Sequence, residues 1–142
     1  MHTLLRPSGT ETLEVLVVDS DPATVAVLHA SLGDLARLHH VANAYQALYE
    51  LRTQRIDVVV TELFLPGASG VDLLRRMRAN GVDVPAIVLT QASGPHPELD
   101  AFGVRHLLHK PVSADLLRAA LTDLLPASAK TEPTIRTVVN AA

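Results

Sequence analysis

The sequence predicts an α/β protein, a three-layer sandwich in which a five-stranded parallel sheet lies between helices. Three observations support this class. Five short apolar runs recur along the chain, amphipathic stretches alternate with them, and each connection is long enough to cross back over a parallel sheet. The predicted strands cover residues 14–18, 37–42, 56–62, 85–90 and 105–109, and the predicted helices cover residues 22–32, 44–54, 69–80 and 113–125.

Capping residues justify the helix boundaries. Asp21 precedes a proline at the first helical position, and Asn43 and Ser113 stand in the same N-cap role. Gly33 and Gly81 end the first and third helices. Between the fourth and fifth strands, two prolines and two glycines leave room for one or two turns of helix, at residues 97–102.

Apolar spacing predicts which side of each helix faces the sheet. The predicted inward residues are Val25, Leu28 and Leu32 in the first helix, Ala44, Ala47, Leu48 and Leu51 in the second, Val71, Leu74 and Met77 in the third, and Leu116, Leu117, Ala120, Leu121 and Leu124 in the last. The basic cluster of Arg75, Arg76 and Arg78 is interpreted as a solvated helix face.

Composition and length exclude several classes of protein. A chain of 142 residues accommodates one domain, and a net charge of −3 argues against a general polyanion binder. The absence of cysteine excludes disulfides and thiolate chemistry. No apolar run spans a bilayer and the first residues lack a signal-peptide pattern, so we expect a cytoplasmic protein.

We expect a flexible leader at residues 1–13, a domain at residues 14–126, and a flexible tail or linker at residues 127–142. Residues 134–139 have the composition of a short strand, and an output domain could follow the tail in a longer protein.

The candidate functional residues follow the predicted strands. Glu62 stands where the apolar third strand ends, and the carboxyl ends of parallel strands open into a crevice where ligands bind. The other polar residues at such ends are Asp19, Ser20, Asp21, Thr90 and Lys110. We expect these side chains to converge.

Four segments of the chain are VLVVDSDP, DVVVTELFLPGASGVDLLRRMR, PAIVLT and HLLHKP. Through these segments the chain resembles the receiver domain of two-component response regulators, over residues 14–125. The resemblance implies a flavodoxin-like sheet with strand order 2-1-3-4-5 and about five helices, the fourth shortened. It also implies a switch operated by phosphorylation of an aspartate at the end of the third strand, and a signalling partner, either a histidine kinase or a downstream output protein.

Two positions depart from this family. Glu62 occupies the phosphoacceptor position, and its extra methylene displaces the nucleophile, which should slow phosphorylation by orders of magnitude. Ser20 occupies the position of a second acid that binds Mg²⁺, and a serine hydroxyl is a poor substitute for a carboxylate. Asp21 could compensate only by giving up its capping role. We therefore expect weak or absent Mg²⁺ binding, no cofactor, and little phosphorylation.

Other parts of the family's pocket remain. Thr90 and Lys110 match the residues that respond to the phosphoryl group, and Lys110 followed by Pro111 suggests a cis peptide bond. We expect Lys110 to pair with Glu62. Glu62 then acts either as a built-in mimic of the phosphorylated state or as a relic in a partly buried ion pair.

The output surface also departs from the family, because Leu107 replaces the switch aromatic and prolines shorten the fourth helix. The sequence thus predicts a pseudo-receiver, a phosphorylation-independent protein-protein interaction module that is not an enzyme. It should be a monomer or weak dimer, with no contact to membrane and no DNA-recognition helix. The alternative is a working phosphotransfer receiver that accepts phosphate at Asp19, Asp21 or Glu62. Histidine spacing along the strands disfavours a metal site.

Overall fold

The computed structural model describes residues 12–125, which form a five-stranded sheet with helices on both faces. The strands are β1 (Leu13–Val18), β2 (Ala36–Val41), β3 (Val58–Glu62), β4 (Ala86–Thr90) and β5 (His106–His109). The helices are α1 (Pro22–Leu32), α2 (Ala44–Thr53), α3 (Gly70–Ala79) and α4 (Ala114–Leu124), with a 3₁₀ helix, η1 (Pro97–Phe102), between β4 and β5. The predicted leader, tail and short strand at residues 134–139 lie outside the described residues, except that β1 begins at Leu13, one residue earlier than predicted.

All neighbouring strands are parallel, in the order β2-β1-β3-β4-β5, so the predicted fold class is confirmed. Side chains alternate along each strand between two apolar cores. Val15 and Val17 pack with α1 and α4, whereas Leu16 and Val18 pack with α2 and α3. Because both faces are covered, the strands are apolar almost throughout. No helix within residues 12–125 is long and apolar enough to cross a membrane.

The predicted capping residues begin their helices as expected. Asp21 accepts from the Ala23 amide, Asn43 from Gln46 and Ser113 from Leu116. At α3 the cap is reciprocal, since Ser69 accepts from the Asp72 amide and Asp72 accepts from the Ser69 amide. These bonds satisfy amides that have no partner inside the helix and so fix where each helix starts.

Two predictions about side-chain burial are wrong. Leu116 is 60% exposed, because α4 turns Leu117, Ala120 and Leu121 toward the sheet and leaves Leu116 on its outer side. Arg78 is not on a solvated face. Its guanidinium donates to the carbonyls of Val82, Val84 and Phe102 at 2.8–3.0 Å and so ties η1 and the chain before β4 to α3.

Gly70 is the closest backbone contact between α3 and the end of β3. A Cβ atom built there would lie 2.4 Å from the carbonyl oxygen of Glu62 and 3.1 Å from the Cα atom of Leu63. Only a residue without a side chain allows the first turn of α3 to pack this closely against β3. This packing sets the position at which Glu62 leaves the sheet.

Candidate functional site

The carboxyl ends of β1, β3, β4 and β5 meet at one edge of the sheet, as the sequence predicts. Asp19 follows β1, Glu62 and Thr90 end β3 and β4, and Lys110 follows β5. The parallel register places these ends side by side, with Val18 opposite Thr61, Glu62 opposite Leu89 and Thr90 opposite His109. Strand order, rather than distance along the chain, brings the polar side chains together.

Lys110 forms the centre of this site. Its ammonium Nζ lies 2.6 Å from Oε1 of Glu62 and 2.9 Å from Oδ2 of Asp19. The Asp19 contact lies outside hydrogen-bond geometry and is best described as an ion pair. The side chains of Lys110, Asp19 and Glu62 are 6%, 2% and 10% exposed, so the cluster is buried. The predicted pairing of Lys110 with Glu62 is confirmed, and Asp19 is a second partner that the sequence did not indicate.

The remaining carboxylate oxygens also have partners. The amide of Asp21 donates to Oδ1 of Asp19 at 2.8 Å, and the amide of Phe64 donates to Oε2 of Glu62 at 3.1 Å. All four oxygens of the two buried carboxylates are therefore in contact with a donor or a cation. Two carboxylates and one ammonium leave the cluster with a single net negative charge at neutral pH.

The charged cluster shifts the pKa of Lys110. Burial lowers this pKa, but the hydrogen bond to Glu62 and the charges of Asp19 and Glu62 outweigh burial and raise it above its ordinary value of 10.5. The ammonium form is thus favoured inside the pocket. A buried cation with two carboxylates beside it has its desolvation offset by those charges.

Asp21 and Ser20 do not complete an acidic pocket around Lys110. Both oxygens of Asp21 serve the start of α1, since Oδ1 accepts from the Ala23 amide and Oδ2 accepts from the Thr24 hydroxyl at 2.9 Å. These hydrogen bonds, the Thr24 bond first, lower the pKa of Asp21. Ser20 is exposed. The expectation that capping occupies Asp21 is confirmed.

Thr90 and Pro111 fix the backbone around Lys110. Thr90 is fully buried, its hydroxyl accepts from the Ala92 amide at 3.0 Å, and its carbonyl accepts from the Lys110 amide at 2.8 Å. The peptide bond between Lys110 and Pro111 is cis, as suggested by the sequence. Leu107, on β5, is partly buried against the core on the α2 and α3 side of the sheet.

The described residues do not fit a divalent cation in this arrangement. Magnesium requires several oxygen ligands in octahedral geometry, usually including one or two carboxylates. Here an ammonium contacts both carboxylates, and their other oxygens already accept backbone amides. Within residues 12–125, moreover, no group of three or more histidine and acidic side chains could hold a metal ion.

The histidines have other roles, which sequence reasoning missed because it considered them only as metal ligands. His40 Nε2 lies 2.8 Å from the carbonyl oxygen of Asp19 and so steadies the backbone at the site. His39 pairs with Glu14 at 2.5 Å, and His106 pairs with Asp123 at 2.8 Å. The adjacency of His40 on β2 to the end of β1 was the available signal, since these strands are neighbours in the sheet.

Comparison with known proteins identifies the family. A model described as the response regulator receiver domain matches residues 15–122, which is most of the chain. The chain belongs to the response regulator receiver domain family. The strand order and the lysine followed by a cis proline, expected from the resemblance, are both present in this receiver domain.

Curated relatives place the receiver domain within larger proteins. The chain is 31% identical over 116 residues to the two-component response regulator PhoP of Pseudomonas aeruginosa, covering 80% of the chain and 52% of PhoP. It is 30% identical over 118 residues to the sensor histidine kinase RcsC of Escherichia coli K12, covering 81% of the chain and 12% of RcsC. The chain spans about half the length, or less, of these relatives.

Solved structures share the fold. The signal receiver domain of an HD domain-containing protein from Pseudomonas fluorescens Pf-5 is 30% identical, with a TM-score of 0.70 over 79% of this chain and 93% of that domain. The chemotaxis response regulator CheY4 of Vibrio cholerae is 24% identical, with a TM-score of 0.73 over 80% of this chain and 98% of CheY4. The second likeness concerns the fold alone.

Proposed function

We propose that this receiver domain is a pseudo-receiver, a protein-protein interaction module in signal transduction that works without phosphorylation. Glu62 stands at the position that the family's phosphoacceptor aspartate would take. The observation that carries the proposal is the closed cluster around Lys110, in which both carboxylates contact the ammonium and every carboxylate oxygen has a partner.

Phosphoryl transfer to a carboxylate needs an oxygen placed in line with the donor and a cation that neutralises the transferring group. In this pocket, Glu62 Oε1 faces the ammonium of Lys110 and Oε2 accepts the Phe64 amide, so neither oxygen is poised for attack. Freeing either carboxylate would leave a buried charge without its partner, which costs several kcal/mol. The same contacts thus stabilise the pocket and oppose its chemistry.

The partner in this proposal is a signalling protein, either a histidine kinase or a downstream output protein. Receiver domains in the curated relatives belong to a protein named as a response regulator and to one named as a sensor histidine kinase. In both settings a receiver domain works through contacts with other signalling domains. A cytoplasmic location and a monomeric or weakly dimeric state belong to the same proposal, as do the domain boundaries at residues 14 and 126.

Phosphorylation chemistry tests the proposal directly. The wild-type chain and the double variant Ser20→Asp/Glu62→Asp would be incubated with acetyl phosphate and Mg²⁺, and their intact masses compared. We expect no added phosphoryl group on the wild type, whereas the double variant, with aspartate at positions 19, 20, 21 and 62, should gain one. A wild-type phosphoryl group that disappears in Glu62→Gln, or in an Asp19→Asn or Asp21→Asn variant, would instead establish a phosphotransfer receiver.

The same two proteins distinguish a mimic from a relic. Amide NMR spectra of the double variant would be recorded with and without beryllofluoride and Mg²⁺, which together resemble a bound phosphoryl group. If Glu62 mimics the phosphorylated state, the amide chemical shifts of the wild type around β4 and β5 should resemble those of the double variant with beryllofluoride bound. If Glu62 is a relic, those shifts should follow the variant without beryllofluoride.

A further inference from the structure

A second surface, which does not include Lys110 or its two carboxylate partners, carries an unusual set of side chains. Both tyrosines of the chain lie on α2, one turn apart, and Tyr45 and Tyr49 are 60% and 58% exposed. Arg76 places its guanidinium 5.6 Å from the centre of the Tyr45 ring, and Arg52 places its own 5.9 Å from that of Tyr49. We call these four residues the tyrosine–arginine face.

In the part of the chain that the structure describes, the two arginines of this face have no ion-pair partner. Every other lysine or arginine within residues 12–125 contacts a carboxylate or a backbone carbonyl. Arg52 and Arg76 contact only the tyrosine rings in that part of the chain. Glu50, the nearest acid along α2, is turned toward His39, with Oε1 3.9 Å from Nδ1. The face therefore presents two uncompensated positive charges.

A groove lies beside the two tyrosine rings. It has a volume of about 450 Å³ and is lined by His40, Val41, Tyr45, Gln46, Tyr49 and Glu50. Exposed aromatic rings beside a groove are typical of protein-binding surfaces, because they supply a large contact area with little loss of side-chain freedom. Arginine stacked on an aromatic ring is held in place for pairing with carboxylates.

We propose that the tyrosine–arginine face binds an acidic segment of a partner protein, with carboxylates for Arg52 and Arg76 and apolar side chains between them for the tyrosine rings. Charge complementarity identifies this occupant. A second copy related by a two-fold axis would bring the same arginines toward each other, and like charges repel.

This face is also connected to the strand-end site through the loop at residues 63–69. A Cβ atom built on Gly67 would lie 4.0 Å from Cε2 of Tyr45, so Gly67 lies beside the ring. The same loop carries Phe64, whose side chain is 62% exposed and whose amide donates to Glu62. The inference goes beyond the proposed function and stands on different contacts, so binding is measured without any phosphodonor.

The test uses two peptides of about 14 residues, roughly four helical turns, that share the same leucines and phenylalanines. One carries glutamates at the positions between them, and the other carries lysines. Titration into isotope-labelled chain should shift the Arg52 and Arg76 side-chain Nε signals and the amides of α2 with the glutamate peptide. The lysine peptide should leave them unchanged.

Charge reversal provides the decisive arm. Arg52→Glu/Arg76→Glu should lower the affinity for the glutamate peptide by about tenfold or more and should allow the lysine peptide to bind. The matched control, Arg37→Glu/Arg105→Glu, reverses two other exposed arginines, which are 69% and 62% exposed, and should bind the glutamate peptide much as the wild type does.

Four results would overturn the inference. They are no localised shift at millimolar peptide, equal binding of both peptides, tighter binding of a short oligodeoxythymidine than of the glutamate peptide, and self-association through α2 that the reversal abolishes. Thermal unfolding of each variant shows whether it is folded. Because all four residues of the tyrosine–arginine face are exposed, we expect the variants to remain folded.

Discussion

The strand-end cluster and the tyrosine–arginine face use positive charge in opposite ways. Lys110 is buried and contacts two carboxylates, whereas the exposed guanidinium groups of Arg52 and Arg76 contact only aromatic rings among the described residues. A buried charge has to be compensated from within the chain, because water cannot solvate it. An exposed charge needs no internal partner and stays available to another molecule. Among the described residues, the positive charge at the strand ends is therefore compensated within the chain, whereas the positive charge of the tyrosine–arginine face is not.

Removing the buried cation should have the largest effect. Lys110→Met leaves Asp19 and Glu62 facing each other without a counter-charge, and we expect it to lower the free energy of unfolding by about 3–5 kcal/mol. Urea unfolding followed by circular dichroism measures this loss. In the matched control, Lys110→Met/Glu62→Gln, one of the two charges is also removed.

The control should recover part of the loss, since fewer unpaired charges remain. A Lys110→Met loss below about 1 kcal/mol, the range of an exposed ion pair, would show that the cluster is effectively solvated. The contrast between the two surfaces would then disappear.

An intermediate effect is expected at Arg78, which shares α3 with Arg76. Arg78→Ala removes three hydrogen bonds to backbone carbonyls and should cost about 2 kcal/mol, whereas Arg76→Ala, with no such bonds, should change stability by less than about 0.5 kcal/mol. Urea unfolding measures the unfolding free energies of the two variants, which change arginines on the same helix. Equal losses of unfolding free energy in the two variants would mean that the carbonyls of Val82, Val84 and Phe102 accept hydrogen bonds from water once the guanidinium is removed.

The smallest effect concerns alkaline pH. The folded pKa of Lys110 lies above the ordinary value of 10.5. A raised lysine pKa adds stability that is fully present below pH 10.5 and is lost as pH rises through the folded pKa. Wild type should therefore lose more stability than Lys110→Met between about pH 9 and about pH 11.5.

The difference in unfolding free energy between wild type and variant is the relevant quantity in this pH experiment, because every titratable group other than Lys110 is present in both proteins. If the unfolding free energies of the two proteins changed in parallel with pH, the raised pKa of Lys110 would be contradicted.

The sequence predicted the sheet well because burial on both faces makes parallel strands continuously apolar, and because Asp21, Asn43 and Ser113 signal helix starts without help from tertiary structure. It also indicated that Lys110 and Glu62 would meet. It could not assign Asp19 to Lys110, since four strand ends converge there and only the folded structure fixes the distances between their side chains.

The failures share a physical cause. Arg78 and Arg76 are two residues apart with identical chemistry, yet only Arg78 reaches the carbonyls of another segment, which depends on where η1 packs. Leu116 and Leu117 are adjacent leucines that project about 100° apart around α4, and the packing of α4 turns only Leu117 toward the sheet. The tyrosine–arginine face was missed because Arg52 and Arg76 come from different helices, and Arg76 was interpreted only as part of a solvated helix face.

Gly70 adds a geometric limit on how this domain could change. The hydrogen atom in place of a side chain there lets the start of α3 rest on the carbonyl of Glu62. Any larger residue would force the helix and the strand apart and carry the carboxylate with them. The side-chain length at position 62 and the absence of a side chain at position 70 therefore together set where the carboxylate lies. A series of mutations that introduced aspartate at position 62 would have to keep glycine at position 70.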